Sequence, residues 1–179
     1  MGKLFRNQDT PQKIVFFENM KIKQIAAGAS HSMIMTGKSK KFSIFWQIEN
    51  GIFVFGNNRY GQLGLGYFDN QYEPKELSFF KDIKVKEIIT SCNSYFVYII
   101  TGKYSWILIG LIFQENDGIY SFGYNENGVL GIGYKRDQKE PQKVKIGDLL
   151  KIKQIAIGTE HTLIRTGKIL TILSNFFHR

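Results

Sequence analysis

The sequence predicts an all-β fold, an incomplete β-propeller built from four-stranded antiparallel blades. Three observations carry that expectation. A strand-like segment recurs as KIKQIAAG from Lys21, KVKEIITS from Lys84 and KIKQIAIG from Lys151. A proline precedes each copy, at Pro11, Pro74 and Pro141. Two glycine-rich segments lie between the copies, NGIFVFGNNRYGQLGLG from Asn50 and DGIYSFGYNENGVLGIG from Asp117. Self-similarity at a steady period marks a repeat architecture, and four short antiparallel strands per unit, stacked in series, are the signature of a propeller.

Each unit is expected to give a strand after the proline, one at KIKQIAA, one at HSMIMT and one at GIFVFG, then a long glycine-rich loop. Ile22, Gln24 and Ala26 alternate with Lys23, Ile25 and Ala27, mostly apolar on both faces, as in strands buried between neighbours. Asn50-Gly51 and Asp117-Gly118 are hairpin signals, because type I′ turns need φ > 0 at both central positions. The composition agrees: 15% aromatic residues suit strands, and 18 Gly against 3 Pro suit many tight turns. A single cysteine, Cys92, excludes an internal disulfide and fits a reducing, intracellular setting in cytoplasm or nucleus. The N-terminus shows no signal-peptide pattern. The net charge of +9 has no long Lys/Arg run behind it and reads as scattered solvated charge.

At this point the chain resembles a known family. Gly56-Asn57-Asn58-Arg59-Tyr60-Gly61-Gln62-Leu63-Gly64-Leu65-Gly66 is similar to the G-x-N-x-x-G-Q-L-G-x-G signature of the regulator of chromosome condensation repeats. The second copy keeps Gly123, Gly128, Leu130, Gly131 and Gly133 but has Val129 where the first has Gln62. Gly28-Ala29-Ser30-His31-Ser32 resembles the family's G-x-x-H-S/T motif, and Gly158, His161 and Thr162 repeat it. The middle copy, Ser91-Cys92-Asn93-Ser94-Tyr95, is degraded and aligns only to within a residue or two. The resemblance implies one partial propeller over residues 1–179, with repeat segments 11–66, 74–133 and 141–166. The loop glycines are expected where the chain leaves one blade and crosses to the next. A nucleotide-binding loop is not supported, since Gln62 and Leu63 stand where Lys and Ser/Thr are needed.

Three segments break the repeat. They are GKSKKFSIFWQI (37–48), GKYSWILIGLIFQ (102–114) and GKILTILSNFFHR (167–179), and each opens with the Gly-Lys of a Thr-Gly-Lys at the same place in the unit. Pro11 to Pro74 spans 63 positions and Pro74 to Pro141 spans 67; without the inserts of 12 and 13 residues the spacings fall to 51 and 54. The expectation is that these are retained introns. Gly-Lys is encodable as GGT-AAR, a splice donor, and an acceptor at Glu49 and Glu115 rebuilds Thr-Glu-Asn at both junctions. The competing reading is a variable hairpin tip, a place where insertions are tolerated. Tyr95–Phe113 approaches the length of a membrane span, yet it carries Lys103 and already supplies a strand, so a membrane partner is not favoured. Trp46 and Trp106 lie in the inserts and are not read as binding anchors.

No catalytic, cofactor or metal site is expected. His31 and His161 have no companion ligands at metal spacing; each partly buried imidazole and its Ser/Thr neighbour are expected to hydrogen-bond backbone from blade to blade. Cys92 is expected to be a small buried apolar residue. The repeats alone point to a non-enzymatic module for protein–protein interaction. The resemblance adds an alternative, a fragment of a guanine-nucleotide exchange factor for a Ran-like small GTPase with chromatin contact; a nucleic-acid-binding module is a third class. The chain begins inside a repeat, so two blade faces are expected to be open and to favour self-association.

Overall fold

A computed structural model describes residues 10–37, 51–102, 118–145, 152–166 and 169–173. These form eleven strands in three antiparallel sheets. The first holds β1 (Lys21–Ala27), β2 (His31–Gly37), β3 (Ile52–Gly56) and β4 (Gln71–Glu76) in that order. The second repeats it with β5 (Val85–Ile89), β6 (Phe96–Thr101), β7 (Ile119–Gly123) and β8 (Gln138–Lys143). The third contains β9 (Ile152–Ile157), β10 (Thr162–Thr166) and β11 (Ile169–Leu173), with β10 central. The fold class expected from the repeats is the one observed.

Register decides which side chains meet. Met33 pairs with Val54 and Met35 with Ile52, so the four share one face of the first sheet. That face packs on Val85, Ile88, Val97, Ile99 and Phe122 of the second. Leu77 and Phe80, from the connection between sheets, are 3% and 1% exposed and close this seam. Burying one such side chain stabilises by about 1.5–3 kcal/mol. A second core repeats the arrangement one sheet on, with Phe96, Tyr98, Ile119 and Leu130 against Val144, Ile155 and Ile164.

Two local expectations are corrected. No strand follows directly on any of the three prolines: Pro74 lies inside β4 and Pro141 inside β8, while Pro11 lies outside any strand. Proline lacks the N–H a ladder needs, and both strands are sheet edges, where that group is not required. The residues after the proline form a 3₁₀ turn, Val15–Phe17 in one copy and Ser78–Phe80 in the next. The glycine-rich loop also does not carry the chain to the next blade. It folds back, joining β3 to β4 within one sheet with Gly56 opposite Gln71, and residues 77–84 make the crossing instead.

The three interrupting segments meet the structure differently. Apart from Gly37 and Gly102, the first two lie outside the described residues. Part of the third forms β11, which pairs with β10 so that Leu173 faces Thr162, as Phe122 faces Val97 in the second sheet. At the mouths of the first two, Thr36 N–H donates to Gly51 O at 2.8 Å and Thr101 N–H donates to Gly118 O at 2.9 Å. Both hairpins are thus closed on the sheet side of the interruption.

Candidate functional site

The glycine-rich loops are built alike. Gly56, Gly61, Gly64 and Gly66 in the first, and Gly123, Gly128, Gly131 and Gly133 in the second, all have positive φ. At Gly61 the reason goes beyond the dihedral: a Cβ there would stand 2.5 Å from the Lys139 Cα and 2.6 Å from the Gln138 oxygen. The loop of one blade therefore lies backbone to backbone on the edge strand of the next. Gly66 N–H adds a hydrogen bond to Lys139 O at 2.8 Å.

A buried asparagine, absent from the residues singled out by sequence, holds each loop. Asn58 Nδ2 donates to Tyr67 O at 2.7 Å, and its Oδ1 accepts from Leu63 N–H at 2.9 Å. Its own N–H donates to Asn70 Oδ1 at 2.8 Å. Asn125 repeats all three bonds with Tyr134, Leu130 and Asp137. The shared N of the signature was the available signal for both. Leu63 and Leu130 are fully buried beneath the loops. Gln62, also fully buried, accepts from Tyr60 N–H and donates to Asn57 Oδ1 at 2.9 Å. In the second loop Val129 replaces Gln62, and Tyr124 takes the position of Asn57.

The histidine motif has a steric cause. A Cβ on Gly28 would fall 1.9 Å from the His31 ring, and one on Gly158 would fall 2.4 Å from that of His161. The imidazole occupies the place of the missing side chain. His31 is 3% exposed, and neither ring nitrogen has a hydrogen-bond partner among the described residues. The expected cross-blade hydrogen bond is therefore not made by His31; burial pushes its imidazole down to about 4, and it is neutral near pH 7. Ser32 is half-buried on the same strand, and Thr162 beside His161 is fully buried. The cross-blade bonds come from elsewhere. Gln24 Nε2 donates to Ile88 O at 2.7 Å and its Oε1 accepts from Ile88 N–H at 3.0 Å, while Ala29 N–H donates to Ser94 O at 3.0 Å.

Register also places the degraded middle motif. His31 faces Gly56, and Phe96 faces Gly123, so Phe96 holds the histidine's place; counted from Ala26 and Ile89, which the register matches, its loop is two residues longer. The buried Ser94 hydroxyl fastens that loop, accepting from Ser91 N–H at 3.0 Å and donating to Ser91 O at 2.9 Å. Cys92, on its tip, is exposed and not the buried residue expected. A longer loop needs no side chain of that kind in the core.

The longer loop brings Tyr95 to the rim beside the first glycine-rich loop. The Tyr60 ring lies 5.3 Å from that of Tyr95 and 5.4 Å from that of Tyr124, centroid to centroid. The Arg59 guanidinium stands 5.9 Å from the Tyr60 centroid. Tyr124 Oη donates to Glu126 at 3.2 Å. Desolvation first, then Glu126, Glu160 and Asp137, push that hydroxyl's pKa up. Among the described residues no three His, Cys, Asp or Glu side chains converge as metal ligands, and no helix is long and apolar enough to cross a membrane.

Residues 2–35, 49–98 and 116–164 match the model of the regulator of chromosome condensation (RCC1) repeat. The matched stretches break off before each Thr-Gly-Lys and resume at Glu49 and Asn116. The chain is similar to the probable E3 ubiquitin-protein ligase HERC3 of Homo sapiens, 26% identical over 91% of this chain and 13% of that protein. It is also similar to the ultraviolet-B receptor UVR8 of Arabidopsis thaliana, 27% identical over 86% of this chain and 29% of that one. It thus spans less than a third of either curated relative. Among solved structures, human WBSCR16 overlays with a TM-score of 0.63 at 17% identity, covering 86% of this chain and 33% of that one. Prp20p from Saccharomyces cerevisiae overlays with a TM-score of 0.58 at 19% identity, covering 84% and 32%. With the repeat matched over most of its length and its sheets arranged as successive blades, the chain belongs to the RCC1 repeat family of β-propellers.

Proposed function

We propose that this chain is a propeller region that binds a protein partner through its rim loops and performs no covalent chemistry. One observation carries the reading: the two glycine-rich loops share a buried frame but differ at exposed positions. Asn58 and Asn125, Leu63 and Leu130, and the glycines are the same in both. The exposed pairs are Arg59 against Glu126, Phe68 against Lys135 and Asp69 against Arg136 in the loops, and Tyr72 against Lys139 where the loops enter β4 and β8. A constant scaffold displaying changed surface chemistry is how loop-borne recognition is built. The test exchanges those four exposed residues between the loops. Proteins crosslinked to the natural chain in its own cells should be lost from the exchanged chain while its circular dichroism and melting stay the same. Retention of every partner would sink the reading.

A second reading is a fragment of an exchange factor for a Ran-like GTPase with chromatin contact, in the nucleus or cytoplasm. The overlay on Prp20p supports it, since that protein has binding properties toward Gsp1p and histones. Accelerated nucleotide release from a Ran-type GTPase by the full-length protein would support it, and no acceleration would reject it. A nucleic-acid-binding role would instead appear as a steep fall of DNA affinity with salt. Self-association is part of the first reading. Ile22 and Ile25 on β1 are 41% and 73% exposed, whereas Val85 and Ile88, at the same places on β5, are 4% and 2% exposed beneath the first sheet. The structural residues of the repeats, from Gly28 and His31 to His161 and Thr162, hold blades and loops in place and make no contact with the partner. The segments 37–48, 102–114 and 167–179 remain, on this proposal, retained introns, and the breaks in the repeat match support it.

A further inference from the structure

We propose that Tyr60, Tyr95 and Tyr124 form a docking platform for an extended, Lys- or Arg-bearing segment of a partner protein. The inference rests on the docking reading above and names its surface. The platform spans the seam between two blades, with Tyr60 from the first and Tyr95 and Tyr124 from the second. It is held in advance: Asn58 and Gln62 fix the loop under Tyr60, and the buried Ser94 hydroxyl fixes the loop under Tyr95. Tyr95 is 38% exposed, so ring surface is available to a partner. Large rings with few rotatable bonds bind at low entropic cost.

The chemistry of the occupant follows from what surrounds the rings. One face already holds a cation, with the Arg59 guanidinium over Tyr60. At Tyr124, Glu126 accepts a hydrogen bond from the hydroxyl, and Glu160 and Asp137 lie close enough to act on it electrostatically. Glu126 acts on Asp137 as well, so these carboxylates repel one another. An ammonium or guanidinium would relieve that repulsion while stacking on a ring; a phosphate chain would be repelled. The placement is local. The chain as a whole carries +9, so bulk attraction predicts the opposite preference, for acidic partners.

The experiment uses the full chain and a fluorescent synthetic peptide of alternating Lys/Arg and Ser. An acidic peptide of equal length and single-stranded oligouridylate serve as the other probes. Binding is read by anisotropy at physiological salt. The expected result is preference for the basic peptide, with roughly ten-fold weaker binding in Tyr95→Ala and in Glu126→Lys. Tyr95 is exposed on a loop and Glu126 is exposed, so both variants should melt where the natural chain does; Glu76→Lys, an equal charge change at an exposed position outside both the platform and the exchanged residues, should bind normally. Preference for the acidic peptide or the RNA overturns the proposal, as does equal binding by Tyr95→Ala and Glu126→Lys. If the platform variants bind normally while the loop exchange still abolishes the cellular partner, this inference fails and the docking reading stands.

Discussion

Replacing Gly61 with alanine tests the claim that loop-to-edge contact joins the blades. Two costs are readable. Gly61 sits at φ +78°, where a Cβ costs about 1–2 kcal/mol. The Cβ would also meet backbone at 2.5 and 2.6 Å, so the loop must lift from β8 and stretch the Gly66–Lys139 hydrogen bond, worth about 0.5–1.5 kcal/mol. The total is about 1.5–3.5 kcal/mol. Gly128 is the matched control, with φ +72° but only the flexible Lys135 side chain near its Cβ position, at 3.9 Å. Gly128→Ala therefore carries the dihedral cost alone. Urea unfolding followed by far-ultraviolet circular dichroism should show Gly61→Ala losing about 1 kcal/mol more than Gly128→Ala, or about 2–4 °C in melting temperature. Equal losses, or a larger loss at Gly128, would refute the argument that the contact across the seam is what demands glycine.

Three more outcomes are expected. His31 is neutral when folded because burial lowers its pKa from 6.5 to about 4, so its contribution is complete above pH 6.5 and falls away as the pH drops toward 4, by about 3 kcal/mol in all. Denaturation series from pH 7 to 4 should show that loss, and His31→Phe, which copies Phe96 of the second blade, should remove it; an unchanged pH slope in that variant contradicts the assignment. Gln24→Ala leaves both backbone groups of Ile88 unpaired and should cost about 1–3 kcal/mol, with faster hydrogen exchange at the Ile88 amide; unchanged exchange would mean that the pair does not hold the blades together. Deleting residues 37–48 joins Thr36 to Glu49 across a hairpin already closed by the Thr36–Gly51 bond, so the shortened chain should gain about 1–2 kcal/mol from cheaper loop closure; a chain that no longer folds would show the segment to be part of the blade.

The frame of the molecule was legible in the sequence. Repeated glycines and the G-x-x-H motif stood out because they answer to constraints local enough to recur letter for letter, such as the ring of His31 filling the space over Gly28. The strand assignments failed at the prolines for an equally local reason. A glycine-rich loop looks the same whether it crosses to the next blade or returns to its own, and only the pairing of Gly56 with Gln71 decides. That Pro74 sits on an edge strand was readable in principle from its missing N–H. The middle motif was ambiguous because its loop length changed, and no spacing rule could choose between Ser94 and Phe96 before Gly123 supplied the register.

The tyrosine platform was illegible for a different reason, which also argues for its importance. Its parts belong to two blades and to two separate departures from the repeat. Where the first loop has Asn57 accepting from Gln62, the second has Val129, which needs no such acceptor, and position 124 is released to carry a tyrosine. Where the first histidine loop is short, the second is two residues longer, and the added length sets Tyr95 against Tyr60. Each change also puts an apolar side chain into the second core, where Val129 and Phe96 are fully buried, and core packing alone does not call for a tyrosine at either rim position. Sites at which a repeat abandons its own pattern are where function is expected to outweigh packing. Here two such departures meet within about the width of a ring, and carboxylates beside them make the surface a receiver of positive charge.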